Sequence, residues 1–161
     1  MIYTVIGLDR ISLDDTDWTI LEALQEDGRI SVAALARAVN LSPTATTERL
    51  NRLQNAGVIL GFKAVVDPAA LGLRLVAFIR MRPFRGTGKA FRKEIDAMPE
   101  VLECHHTTGE DCYLIKVAAA DMSHLESITD RVAGFGDTTT SLAYSSPVPG
   151  RALVRTIRAD S

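Results

Sequence analysis

The 161-residue sequence lacks most of the features that assign a class at sight. Two cysteines are too few, in a chain of this length, for the stapled framework of a small secreted domain. Neither charge is in excess, with 18 Lys plus Arg against 20 Asp plus Glu, so composition alone does not suggest a nucleic-acid binder. No stretch reaches the ~18 uninterrupted apolar residues of a membrane span. Residues 1–8 are apolar but too short for one; without a basic leader or a small-residue cleavage site they do not read as a signal peptide, so a cytoplasmic protein is expected. Nucleophile elbow, P-loop and dinucleotide fingerprint are missing, and the three His form no triad-like pattern with the acids, so nothing argues for an enzyme. The 47% hydrophobic and 24% charged content is that of an ordinary folded chain, with room for one large domain or two small ones.

The character of the sequence changes near Asp67-Pro68. Before it, apolar residues recur at helical spacing. A first helix is expected over 14–26, with Ile20, Leu21 and Leu24 as its stripe and Asp14, Asp15 and Asp17 at the positive end of its dipole. A second is expected over 32–39, capped by Ser31, and a third from Ser42-Pro43 to Ala56-Gly57, opened by a capping Ser and closed by a Gly. Only about three residues separate the second and third helices, which is the spacing of a helix-turn-helix. The β-branched and aromatic run 58–66 reads as a strand or β-ribbon, a wing or connector. Beyond Pro68 the order is strand 73–81, helix 88–98, strand 101–107, strand 113–119, helix 122–132 and strand 138–144. That βαββαβ order is a ferredoxin-like α+β sandwich with helices on one face of the sheet. Its uncovered apolar face favours dimerisation. The expected boundaries are an extension 1–12, a winged helix-turn-helix 13–61, a connecting strand or hinge 62–72, the sandwich 73–146 and a loose tail 147–161.

Leu50 and Leu53 fix the inner side of the third helix, which leaves Ser42 at its start and Thr44, Thr47, Glu48, Asn51 and Arg52 facing outward, with Arg49 at the boundary. Hydroxyl, amide and guanidinium groups on such a helix suit base edges and phosphates in a major groove. A solvated polar face would look the same in isolation; the tight turn before it favours DNA. Between residues 28 and 66 five bases oppose the single acid Glu48, a local charge of +4 where phosphate contacts would fall. Cys104, His105, His106 and Cys112 invite a metal site, but strand alternation sends His105 to the opposite face from Cys104 and His106, and no chelating spacing is present, so none is expected. The turn Thr107-Thr108-Gly109-Glu110-Asp111 and the segment Thr138-Thr139-Thr140-Ser141 carry the hydroxyls, amides and carboxylates that hold a zwitterion, although turn and strand propensity alone explain the same residues.

Taken in order, 13-LDDTDWTIL-21, 28-GRIS-31, Leu35-Ala36, Leu41-Ser42, Arg49-Leu50, Arg52-Leu53, 57-GVI-59, Leu71-Gly72 and 108-TGED-111 resemble the Lrp/AsnC (feast/famine) transcriptional regulators from about residue 13 to 149. The resemblance implies a winged helix-turn-helix that binds double-stranded DNA as a homodimer, followed by a ligand-sensing ferredoxin-like domain that pairs through its sheet, four dimers assembling into an octamer. It implies a small amino-acid effector between neighbouring sensing domains, on Thr107, Thr108, Gly109, Glu110 and Asp111 of one and Thr138, Thr139, Thr140 and Ser141 of an adjoining subunit. Backbone groups near Gly109 and the Asp111 side chain would meet its polar end, and no other cofactor is expected. Thr46 departs from the family's usual apolar core residue, and Cys112-Tyr113 from its usual aromatic-aliphatic pair. The competing reading is a metabolite-binding module or small enzyme on the ferredoxin-like part, with the helices used for protein contacts.

Overall fold

The computed structural model describes residues 11–109 and 112–155. They form two compact units, one built from residues up to Ala64 together with those from Val148 onward, the other from Val65–Pro147.

In the first unit the helices are α1 (Asp15–Glu26), α2 (Val32–Ala38) and α3 (Pro43–Asn55). Each begins where a short polar side chain satisfies a free amide of the first turn. Asp14 accepts from the Asp17 amide at 2.8 Å while the Asp17 carboxylate accepts from the Asp14 amide at 3.1 Å, a reciprocal capping box. Ser31 and Ser42 accept from Ala34 and Ala45. Asn40 takes a left-handed φ of 54° in the turn between α2 and α3, a conformation its short amide side chain tolerates. At the end of α3, Gly57 is left-handed and the Val58 amide returns to the Leu53 carbonyl at 2.9 Å. Ile20, Leu35 and Leu53 are fully buried at the centre, ringed by half-buried side chains such as Leu24, Val39 and Val58.

Residues 58–66 do not form the expected strand or ribbon. A ladder needs a second extended segment, and among the described residues none pairs with this one. Val65 is left almost wholly exposed. A short 3₁₀ turn at Ala69–Leu71 and a left-handed Gly72 then lead into the second unit. The tail does not hang loose either: residues 148–155 return to the helical unit, where the main chain of Leu153 is bonded to Gln25 of α1.

The second unit contains β1 (Leu75–Pro83), α4 (Gly88–Asp96), β2 (Val101–His106), β3 (Tyr113–Ala119), α5 (Met122–Ala133) and β4 (Gly136–Leu142). The strands form one antiparallel sheet in the order β2-β3-β1-β4, the ferredoxin-like arrangement. Alternation places Ala77, Ile79 and Met81 of β1 and Ile115, Val117 and Ala119 of β3 on one face. There they bury Phe91, Met98, Leu125, Ile128 and Val132 from the helical layer. The sheet's opposite face is mixed rather than simply apolar. Half-buried Phe78 and Leu114 lie among Arg80, Lys116, Glu103 and His105, and Glu103 pairs with Lys116 at 2.9 Å and His105 at 3.3 Å. β4 starts two residues before the expected Thr138, because Gly136 pairs with Pro83. A Cβ on Gly136 would sit 2.3 Å from the Arg82 carbonyl oxygen, so only glycine allows that approach.

Candidate functional site

Along α3, Ser42, Thr44, Thr47, Glu48, Asn51 and Arg52 are exposed, Arg49 and Leu50 are half-buried, and Thr46 and Leu53 are buried. The helix therefore presents one polar face, as its spacing requires. The hydroxyls nearest its start are partly committed. The Ser42 oxygen caps the helix, and Thr47 donates to the Pro43 carbonyl at 2.9 Å. Thr46, the residue out of keeping with an apolar core, is fully buried and donates to the Ser42 carbonyl at 2.9 Å, so its hydroxyl costs little there.

The two arginines of α3 are not free cations. Arg49 reaches Asp14 at 2.7 Å and Asp17 at 2.9 Å, and Arg52 reaches Asp17 at 2.5 Å. Asp17 has no solvent exposure, whereas the Arg49 and Arg52 side chains keep 30% and 44% of theirs. A buried carboxylate at the N-terminus of α1 is thus held by two guanidinium groups and by a main-chain amide, and it fixes how α3 lies across α1. The Arg49 guanidinium, followed by the Asp17 amide, holds the Asp14 carboxyl below its ordinary value. Asp14 and then Asp17 in turn hold the Arg49 guanidinium above its own. The local +4 read from the sequence is accordingly offset at α3 by two acids belonging to α1. The D-x-x-D spacing of Asp14 and Asp17 signals a capping box, and Arg49 and Arg52 are three apart on one side of a helix. Only the fold shows that those two pairs meet.

In the second unit the turn after β2 is closed by the Thr107 amide, which donates to the Cys112 carbonyl at 2.7 Å, with Gly109 at φ 109°. Thr108 is exposed beside it; Glu110 and Asp111 lie outside the described residues. In β4, Thr138 is half-buried and Thr139, Thr140 and Ser141 are exposed, with the Thr140 hydroxyl 3.3 Å from that of Thr129 on α5. Met81 pairs with Tyr113 on one side and Thr138 on the other, so the turn and the start of β4 share one end of the sheet. Within one chain β1 separates β3 from β4, a gap of roughly 10 Å at two strand spacings.

The cysteines and histidines are spread as alternation requires. Cys104 and His106 oppose Ile115 and Tyr113 on the helix-covered face, with His106 stacked on Tyr113 at 4.7 Å, while His105 opposes Leu114 on the other. Burial, with Asp96 nearby, pushes the Cys104 thiol up. Among the described residues no three His, Cys, Asp or Glu side chains gather as metal ligands would, and no helix is long and apolar enough to cross a membrane.

A helix-turn-helix unit followed by a ferredoxin-like domain defines a class, the two-domain ligand-responsive transcriptional regulators, and comparison with known proteins specifies it. Residues 13–59 match the family model for a winged helix-turn-helix DNA-binding domain, and residues 76–153 that for the Lrp/AsnC ligand-binding domain. The leucine-responsive regulatory protein of Escherichia coli K12 is 36% identical over 149 residues, covering 88% of this chain and 91% of its own. That of Haemophilus influenzae is 36% identical over 136 residues, covering 80% and 82%. Among solved structures, Bacillus subtilis LrpC superposes with a TM-score of 0.83 at 27% identity, covering 87% of this chain and 100% of its own. A Neisseria meningitidis transcriptional regulator in complex with L-Met does so at 0.83 and 30%, covering 88% and 96%. The chain belongs to the Lrp/AsnC family of transcriptional regulators, with a DNA-binding helix-turn-helix and a ligand-binding domain.

Proposed function

We propose that this protein is a cytoplasmic, non-catalytic regulator that binds double-stranded DNA through α3 as a homodimer, and that a small amino acid bound between sensing domains alters its assembly or DNA affinity. The observation that carries this reading is the exposed polar face of α3, presented by a three-helix unit in which the fully buried Asp17 carboxylate is spent on orienting that helix. Ser42, Thr44, Thr47, Glu48, Asn51 and the exposed part of Arg52 face the groove; Arg49 serves the same interface from beneath by holding the helix. With little net positive charge near α3, each copy binds weakly, and pairing two copies doubles the phosphate contacts.

On the sensing side, the roughly 10 Å between β3 and β4 within one chain supports an effector site shared by two subunits. Thr107, Thr108, Gly109, Glu110 and Asp111 of one would face Thr138, Thr139, Thr140 and Ser141 of another, in an assembly of up to four dimers. The L-Met complex of the Neisseria relative supports an amino acid as ligand. Fluorescence anisotropy with duplex DNA from upstream of its own gene tests the DNA half. Binding that weakens with salt and loses about 1–3 kcal/mol in Asn51→Ala is expected; no binding at low salt would favour a metabolite-binding module using its helices for protein contacts. Thermal-shift screening of the common amino acids, with Asp111→Ala as control, tests the effector half. A full response retained in that variant removes Asp111 from the pocket.

A further inference from the structure

The C-terminal segment makes contacts of its own on α1. The Leu153 amide donates to Gln25 Oε1 at 2.8 Å, and Gln25 Nε2 donates to the Leu153 carbonyl at 3.0 Å. A glutamine side chain sets an N–H donor beside a carbonyl acceptor, so it reads a single extended residue as the edge of a strand would. The same Nε2 also donates to the Leu21 carbonyl at 3.2 Å, which fixes the way the amide faces. Leu153 sits at the rim of an apolar cleft of about 340 Å³ floored by Trp18, Leu21, Leu24 and Phe62. Two residues on, Arg155 pairs with Asp15. Asp17 of the same helix is committed to α3, whereas Gln25 and Asp15, on the same helix, hold the C-terminal segment.

We propose that residues 151–155 are a strap that couples the ligand-binding domain to the DNA-binding unit. The helical unit is tethered to its neighbour twice, once through residues 65–74 and once through the short run from the end of β4 at Leu142 to Leu153. β4 carries Thr138–Ser141, so an event there reaches α1 through about ten residues, two of them proline. Leu153 is 65% exposed, so the strap is held chiefly by the Gln25 amide and the Asp15 pair, a grip weak enough to open and close. The surface fits an extended segment with an aliphatic residue and a base two positions later, and the occupant is the chain's own C-terminal segment. The coupling rests on the effector reading above; the docking does not.

The test uses the full chain and Gln25→Glu, which keeps side-chain size but sets an acceptor against the Leu153 carbonyl, with Gln25→Ala beside it. Hydrogen exchange of residues 151–155 and tryptic cleavage after Arg151 should quicken on the order of tenfold in both variants, with α2 and α3 unchanged. Rates equal to wild type overturn the docking. DNA affinity is then measured with and without each of the twenty common L-amino acids. Wild type should show a change of about fivefold or more with one of them, and Gln25→Glu less than about twofold. A response of wild-type size in Gln25→Glu overturns the coupling while leaving the effector reading intact. No response in wild type overturns an effector acting on DNA affinity and the coupling with it, and leaves the docked strap to be judged by exchange alone.

Discussion

The two units of this chain hold their shape by different means. Among its described residues the sheet unit buries eleven side chains between one face of the sheet and its two helices, all of them apolar. Among its described residues the helical unit buries Ile20, Leu35 and Leu53 and, beside them, the carboxylate of Asp17 and the hydroxyl of Thr46. A small three-helix core fills too little volume to fix crossing angles by packing alone. Asp17, with its two arginines and its capping amide, supplies the missing directionality. The sheet unit needs none, since strand pairing already sets its register. The lesson is that charge in the DNA-binding unit works first as structure: Arg49 and Arg52 on α3 are engaged by acids of the same unit before any phosphate is met.

The largest effect that would sharpen this contrast is expected from Phe91→Ala, which empties the centre of the sheet unit and should cost about 3–5 kcal/mol. Hydrogen exchange should report the loss in β1, β3 and α5 and leave α1–α3 unaltered; equal losses in both units would mean that they do not unfold separately. Next comes Asp17→Ala. Breaking a fully buried ion pair costs about 3–5 kcal/mol, but Arg49 and Arg52 are left partly in water, so about 2 kcal/mol is expected, confined to the helical unit. A change below half that in urea unfolding would reduce the clamp to a surface pair.

A smaller effect follows from acid. Asp14 titrates below its ordinary value because Arg49 and the Asp17 amide favour its charged form. A carboxylate depressed in the folded state contributes stability above its unfolded pKa, near 3.9, and loses it as pH falls through the folded value. The helical unit should therefore weaken below about pH 4, and Asp14→Asn, which still caps a helix, should flatten that decline. In the sheet unit the matching carboxylate is Glu103, held low by Lys116 and then His105, so Asp14→Asn should leave that unit's acid response unchanged. The smallest effect belongs to Thr46→Val. The Ser42 carbonyl keeps its main-chain partner at 3.0 Å when the hydroxyl is removed, so thermal unfolding should shift by the equivalent of less than about 1 kcal/mol.

Much of the architecture was legible because it is written in local chemistry. Ser31, Ser42 and Gly57 mark helix ends by satisfying or releasing backbone groups, and strand composition places the first strand of the sheet within two residues of its observed 75–83 and the third at its observed 113–119. Where the sequence misled, partners distant in the chain decided. Residues 58–66 have strand composition but, among the described residues, no neighbour to pair with. Gly136 opens β4 because of the Arg82 carbonyl, which no window around it contains. The outward face of α3 followed from Leu50 and Leu53 alone. That Arg49 and Arg52 are tied to Asp14 and Asp17 did not, because some 35 residues lie between them and nothing local joins the two ends. Gln25 carried no signal at all, since its partner is the main chain of Leu153, 128 positions away.

The most direct test of the clamp is the salt dependence of DNA affinity in Asp17→Asn and in Arg49→Ala plus Arg52→Ala, measured on the same upstream duplex together with the melting temperature. If the arginines act by holding α3, both variants lose affinity and thermal stability together, and the slope of log K against log salt stays within about one unit of wild type. If the arginines are instead plain phosphate contacts, the double arginine variant melts as wild type does and its slope flattens by about two units, and Asp17→Asn, with both cations freed, binds DNA more tightly.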